Sequence, residues 1–365
     1  MRPPILGWDV GGANLKAARI DGDGDIRVLE RPFALWREPQ RLSAKLAAMA
    51  GDLGSVQAMA VTMTAELADC FATKRDGVAF VLDAFRAAFP ETDAVVYGVD
   101  GRFRSIELAR QEPLKVAAAN WMATATLVAR TFPDALFIDV GSTTTDIVPI
   151  AGGRVIARGR TDPARLMRGE LVYTGALRTP ACAIARTVPF RGRRCRVAAE
   201  HFAIAADIHV WLEQIAPDDY TCDTPDGRGR SRDEAAARIA RIVCADLEMI
   251  DAIDVTAMAA HLARRQVRQI AAGVRQVLKR LGARAPRLAV LAGRGAFMAR
   301  AAAEDVGLDA RELPVEICPA SAVAWLLAEK GGSRTLRGPY GPQTGFEDQR
   351  HHRAPSFSGI RGRAV

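Results

Sequence analysis

Apolar and polar positions alternate along residues 5–20 and again along 135–151, and each alternation breaks at a polar turn. The first stretch reads "ILGWDVGGANLKAARIDGDGDIRVL" and the second "LFIDVGSTTTDIVPIAGGRVIARG". Period-two patterning around a glycine-bearing turn predicts a β-hairpin in each, with a further strand after a second glycine turn. The two copies share one register without a gap: Asp9 stands with Asp139, Gly11 with Gly141, Asn14 with Thr144, Lys16 with Asp146 and Gly22 with Gly152. Elsewhere the pattern predicts helices over 41–50, 78–89, 117–130, 198–215, 232–250, 255–281 and 320–329. Strands are predicted over 56–62, 94–99 and 288–291. Ser231 with Glu234 reads as a capping box, and Ile239, Ile242, Val243, Leu247 and Ile250 make one apolar stripe, read as core. The expected architecture is α/β: two similar lobes, 1–130 and 131–330, with a central cleft, the second lobe carrying a helical insertion.

A turn that only reverses the chain does not need the oxygen found here. Glycine lets the backbone reach positive φ and lets a ligand approach the amides. Successive N–H groups in such a turn form an anion-binding concavity. Gly11, Gly12 and Asn14 in the first turn, and Gly141, Ser142, Thr143 and Thr144 in the second, are therefore candidate phosphate binders. The carboxylates before the turns, Asp9 and Asp139, would repel a bare phosphate. They make sense as ligands of a hydrated Mg²⁺, an ion that keeps waters and takes one or two carboxylates plus phosphate. Lys16 is either a point charge for the same phosphate or a solvated strand lysine. Gly293 and Gly295, after the late strand, would let a nucleotide or other flat group lie against the backbone, or would merely end the strand.

Proton transfer has three candidates: Asp146, facing the cleft if the strand alternates, and Glu66 and Asp69 in "TAELADC". Cys70 beside them reads as a small buried hydrophobe. For an anionic substrate the candidates are Arg228 and Arg230 in "CDTPDGRGRS", with Tyr173 and Arg178 in "GELVYTGALRTP". Cys222 with His209, Asp207 and Glu200 fits no standard zinc-finger spacing. His261, on an amphipathic helix, reads as structural.

Composition narrows the class. The chain has 365 residues with 49% hydrophobic and 25% charged, which suits two globular units. No apolar run spans a bilayer and no signal-peptide pattern precedes the first strand, so the expected compartment is the cytoplasm and no membrane partner is expected. Six scattered cysteines without a C-x-x-C pair suit reduced thiols. Half of the +8 net charge lies after Lys330, in a Gly- and Pro-rich segment, 331–365, read as a disordered basic tail that also holds His351 and His352. The body is only mildly basic and lacks aromatic–basic interleaving, so nucleic acid is not an expected partner. Arg264, Arg265 and Arg268 read as a solvated helix face, the alternative being a partner surface on a non-enzymatic scaffold.

The paired turns and late glycine turn resemble the actin, sugar-kinase and Hsp70 superfamily. More narrowly, "GWDVGGANLK", "TMTAELADCF", "DVGSTTTDIVPI", "GELVYTGALRTP" and "CDTPDGRGRS" resemble the small hydantoinase/oxoprolinase-type proteins of the tetrahydromethanopterin-linked one-carbon pathway, over about residues 5–330. The resemblance implies a two-lobed actin-like ATPase (ribonuclease H-like) duplication. It also implies the reaction of the archaeal methanofuran-biosynthesis relatives: an aminomethylfuran-methyl diphosphate joins the phenol of γ-glutamyltyramine, and diphosphate leaves. On that implication the partners are small diphosphate and phenolic amine substrates, with Mg²⁺ required and ATP possible but not required. An ATP-dependent kinase or oxoprolinase-like hydrolase is the alternative. Against a sugar kinase, the first turn has Asn14 where such enzymes commonly carry threonine.

Overall fold

A computed structural model describes residues 3–22 and 24–330; the expectations for the tail fall outside the described residues. The chain opens with strands β1 (Ile5–Val10), β2 (Asn14–Ile20) and β3 (Ile26–Pro32). Helix α1 (Leu42–Leu53), strand β4 (Ala58–Met63), helix α2 (Lys74–Ala88), strands β5 (Asp93–Tyr97) and β6 (Phe103–Ser105) and helix α3 (Ile106–Gln111) follow. These strands form a six-stranded sheet of order β3-β2-β1-β4-β5-β6. Helix α4 (Asn120–Thr131) leads to the second copy: β7 (Ala135–Val140), β8 (Thr145–Ala151), β9 (Arg154–Val155), α5 (Asp162–Met167) and β10 (Leu171–Val172). An insertion comprises α6 (Ala181–Ile184), β11 (Thr187–Phe190), β12 (Arg193–Arg196), α7 (Ala205–Trp211), α8 (Arg232–Arg241) and the long α9 (Ala252–Leu281). The chain closes with β13 (Leu288–Ala292), α10 (Ala296–Asp305), β14 (Asp309–Glu312) and α11 (Pro319–Lys330). The second sheet runs β10-β8-β7-β13-β14.

The internal echo is structural. Asp9 pairs with Lys16 and Val10 with Leu15 across the first hairpin, as Asp139 pairs with Asp146 and Val140 with Thr145 across the second. Each turn closes on the same backbone bond: Gly11 N–H donates to the Asn14 carbonyl at 3.0 Å, and Gly141 N–H to that of Thr144 at 2.9 Å. The first strand of each hairpin also pairs in parallel with a later strand, β4 beside β1 and β13 beside β7, so both turns follow the C-terminal end of an interior strand in equivalent positions.

The packing corrects three sequence expectations. Helix α11 lies against β1, β2 and β4, so the last described helix covers the first sheet although a division at residue 130 assigns it to the second lobe. With α4 it fills the space between the sheets, where Trp121, Phe137, Val148, Val290 and Trp325 share one core. Helix α8 stops at Arg241, not 250, because Cys244 adopts a left-handed conformation (φ 57°) and the Asp246 carboxylate accepts from the amides of Glu248 and Met249. Leu247 is thereby left 47% exposed and drops out of the apolar stripe, while Ile239, Ile242 and Ile250 stay buried. Helix α7 begins only at Ala205, where the Asp207 carboxylate accepts from the Ile204 amide.

Candidate active site

Both turns open on one cavity between the lobes, of about 1750 Å³. Asp9, Gly11, Gly12, Asn14 and Lys16 line it from the first sheet, and Asp139, Gly141, Ser142, Thr143, Thr144 and Asp146 from the second. Glu66, Asp69, Tyr173, Arg178 and Gly293 also reach it. Gly295 does not; its amide donates to the Val140 carbonyl at 2.8 Å, and a Cβ there would lie 2.4 Å from Val140 Cγ1. Arg228 and Arg230 are likewise elsewhere, in a separate hollow of about 340 Å³ shared with Arg37, Asp223, Thr224 and Gly227. That hollow bridges the lobes, since Arg37 pairs with Asp223 at 2.9 Å.

The cavity floor concentrates acids. Burial above all, with the charge of Glu30 and Asp146 outweighed only in part by Lys16, pushes Asp9 up to about 6. Burial, then Asp146 and Asp9, pushes Asp139 up to about 7 against the pull of Lys16. Asp146 and Lys16 act on both carboxylates from within the same cavity. Asp9 Oδ1 is buried with no hydrogen-bond partner among the described residues. Gly293, at φ 87°, leaves room beside Asp139: a Cβ there would fall 2.3 Å from Asp139 Oδ1. An orphaned carboxylate oxygen in a cavity that a second acid and several hydroxyls also line is a donor chemistry that fits an oxygen-seeking divalent cation such as Mg²⁺. Lys16 stays charged: burial opposes its proton, but Glu30, Asp9, Cys318 and Asp139 together raise its affinity for it. Its Nζ lies 3.5 Å from Glu30, which also faces Arg294 at 3.6 Å.

The second turn is cradled from behind. Amides of Leu177 and Arg178 donate to the Ser142 carbonyl, and that of Ala176 to Gly141. Gln266 of α9 holds this cradle by donating to Thr174 Oγ1 at 2.9 Å and to the Gly175 carbonyl at 2.7 Å. At Gly175 a Cβ would sit 2.5 Å from the Thr143 amide nitrogen, so the turn and its cradle touch backbone to backbone. Gly175→Ala is expected to destabilise the fold by about 1–3 kcal/mol, read by urea denaturation, because neither backbone can give way cheaply.

The three candidate proton acceptors differ in surroundings. Asp146 accepts from Arg165 Nη1 at 2.8 Å, and Arg165 in turn stacks 4.0 Å over Trp121. Asp69 is exposed. Glu66 is 1% exposed, and neither of its oxygens accepts a hydrogen bond at ordinary length. Its nearest cation is Lys74 Nζ, 3.5 Å from Oε1. Burial, only partly offset by Lys74, pushes Glu66 up to about 7. Cys70 corrects its expectation: it is exposed. Asp207 and His209 are engaged by Arg238 and Tyr220, and by Gln214 and Gln266, and no group of three metal-ligating side chains forms among the described residues. Glu30, Trp36, Trp121, Asp162 and Arg165 also line the cavity and Lys74 stands behind it, although no sequence motif marks them. Only Arg294 carried a local signal, standing between the two singled-out glycines.

The hydantoinase/oxoprolinase family model matches residues 57–330. The chain belongs to the hydantoinase/oxoprolinase family. Within that family it is 42% identical to the (4-{4-[2-(gamma-L-glutamylamino)ethyl]phenoxymethyl}furan-2-yl)methanamine synthase of Methanocaldococcus jannaschii over 251 residues, 68% of this chain and 74% of that one. The synthase of the same name from Methanococcus vannielii is 43% identical over 117 residues, 32% of this chain and 52% of that one. Among solved structures, nucleotide-free acetone carboxylase superposes with a TM-score of 0.56 at 11% identity, covering 88% of this chain and 70% of that one. This hydantoinase/oxoprolinase-family protein thus has the actin-like two-lobed fold, a likeness of architecture alone at that identity. No helix among its described residues is long and apolar enough to cross a membrane.

Proposed function

We propose that this protein is a transferase of methanofuran-type cofactor assembly, forming an aryl ether from a furan-methyl diphosphate and the phenol of a glutamyltyramine-like acceptor. The name of the two synthases describes a phenoxymethyl-furan, so such an enzyme makes a bond between a phenol oxygen and a furan-bearing CH₂. The C–O bond to diphosphate breaks, the new C–O bond forms, diphosphate departs and the phenol proton goes to a base. The observation that carries the reading is one cavity holding the paired acids Asp9 and Asp139, the hydroxyl turn, and a buried, unbonded carboxylate at Glu66.

The roles follow from chemistry. Asp9 and Asp139 would hold Mg²⁺, which when bound supplies charge stabilisation for the leaving diphosphate. The amide of Gly12 and the hydroxyls of Ser142, Thr143 and Thr144 bind its oxygens, while the Gly11 amide, donating to the Asn14 carbonyl, holds the turn in shape, and Lys16 neutralises the diphosphate as it departs. Glu66 takes the phenol proton, since an acceptor poised near neutral pH suits general-base work. Asp146, already paired with Arg165, orders the turn instead. Arg178 and Tyr173, which line the cavity, bind the acceptor, whereas Arg228 and Arg230 open on the separate hollow and have no part in this reading. The compartment is the cytoplasm, which suits six free cysteines.

The test is incubation with the furan-methyl diphosphate, γ-glutamyltyramine and Mg²⁺, with and without ATP. Ether and diphosphate are expected in equal amounts without nucleotide. ATP-dependent turnover with release of ADP or phosphate would overturn the reading. It would favour a kinase or lactam hydrolase, for which the cavity's extension past Gly293 to Phe297 and Arg300 leaves room.

A further inference from the structure

Lys74 is misplaced by ordinary helix rules. It is the first residue of α2, where the helix dipole favours an acid, and its cap is supplied by Thr73 and Asp76. It does not line the cavity. Its Nζ instead stands between two carboxylates, 3.5 Å from Glu66 Oε1 and 2.5 Å from Asp162 Oδ2. Glu66 belongs to the first lobe; Asp162 opens α5 in the second and reaches the cavity. The geometry is tightly held. Helix α2 packs so closely on the Glu66 segment that a Cβ on Gly77 would lie 2.5 Å from the Glu66 carbonyl oxygen.

We propose that Lys74 is the positioning residue of Glu66, and that Asp162, from the opposite lobe, holds Lys74 off it. This rests on the reading of Glu66 as proton acceptor and deepens it. A lysine hydrogen-bonded to Glu66 would fix it as a carboxylate and weaken it as a base; no cation at all would leave it protonated in its buried seat. A lysine shared with Asp162 leaves it between those limits. Burial opposes the charge on Lys74, but the hydrogen bond to Asp162 and the field of Glu66 outweigh it and keep the ammonium protonated. Lys74 and Asp162 are the charged side chains that act on Glu66, the first favouring its ionised form and the second opposing it. Because Lys74 and Asp162 meet across the cleft, the state of Glu66 is tied to the approach of the lobes.

The experiment is an NMR titration of the Glu66 side chain in the full chain, without substrate, for the parent protein and for Lys74→Met, Asp162→Asn and Lys74→Arg. Lys74→Met is expected to move the midpoint upward by about one unit or more, through loss of its cation. Asp162→Asn is expected to move it downward by a similar amount, since the released lysine turns to Glu66. Lys74→Arg keeps the charge and should stay near the parent midpoint. The acidic limb of kcat/KM for the aryl-ether reaction should follow the same order. A merely structural bridge would be broken equally by Lys74→Met and Asp162→Asn, and would shift both one way or neither. Either result overturns the proposal while leaving Glu66 as the base. Full turnover in Glu66→Gln would instead remove the base itself, and the proposal with it.

Discussion

Asp139→Asn is expected to lower diphosphate release by about 10²–10³-fold, in the range found for loss of one preorganised electrostatic group. The same change is expected to make the ion-free protein more stable at pH 8. Both outcomes follow from one fact: Asp139 is half-buried at the cavity floor opposite Asp146 on the next strand, and its affinity for a proton is pushed up to about 7. An acid whose folded value lies above its unfolded one stabilises the fold fully below the unfolded value, near pH 4. That stability is lost as pH rises through 7. At pH 8 the ion-free native state therefore carries an unwanted charge that asparagine removes. Discounted for the solvent in the cavity, the gain is on the order of 2 kcal/mol, or roughly 5 °C in melting temperature. At pH 4 the two proteins should melt together. Calorimetric titration with Mg²⁺ supplies the second readout: the parent binds, and Asp139→Asn binds at least tenfold more weakly. Equal Mg²⁺ binding by both proteins would remove Asp139 from the ion site.

The same physics explains how much could be read from residues alone. Strand patterning is local, so the two hairpins and their shared register were legible, down to Asp9 against Asp139 and Gly11 against Gly141. The pairing of those acids over one cavity was legible too, because duplication carries geometry along with sequence. What the pattern did not reveal comes from side chains on elements that look ordinary by themselves. Lys74 lies before the helix expected over 78–89 and carries no motif; only α5 of the other lobe, bringing Asp162 to it, gives it a place in the site. Arg165 lies on α5, a helix the pattern does not predict, and gains its place only because Trp121 and Asp146 enclose it. Arg228 and Arg230 look adjacent to the glycine-rich substrate segment in kind, yet the loop carrying them opens on its own hollow. Helix ends misled for a different reason. In 242–250 no glycine or proline marks the stop; the side chain of Asp246 competes for backbone amides that a helix would have used.

Glu66→Gln carries the other large effect: a loss of about 10²–10⁴-fold in turnover, the usual worth of a positioned general base. Glutamine matches the shape of the side chain, so substrate KM should move little while kcat falls, and the acidic limb of the pH profile should disappear with the group that titrates. Stability separates this result from misfolding. Glu66 is raised to about 7 chiefly by burial, so its contribution to stability is present below about pH 4.5 and lost through pH 7. Above pH 8 the parent pays for an ionised carboxylate in a seat where neither oxygen is hydrogen-bonded. The neutral amide escapes that cost, and Lys74 keeps its partner in Asp162. Glu66→Gln should therefore melt above the parent at pH 8 and with it at pH 4, by an amount of order 2 kcal/mol at the higher pH. An inactive protein more stable than its parent is what a functional acid held in an unfavourable place predicts. A purely structural Glu66 predicts unchanged turnover instead, and activity within threefold of the parent across pH 6–9 would assign the proton to another acceptor.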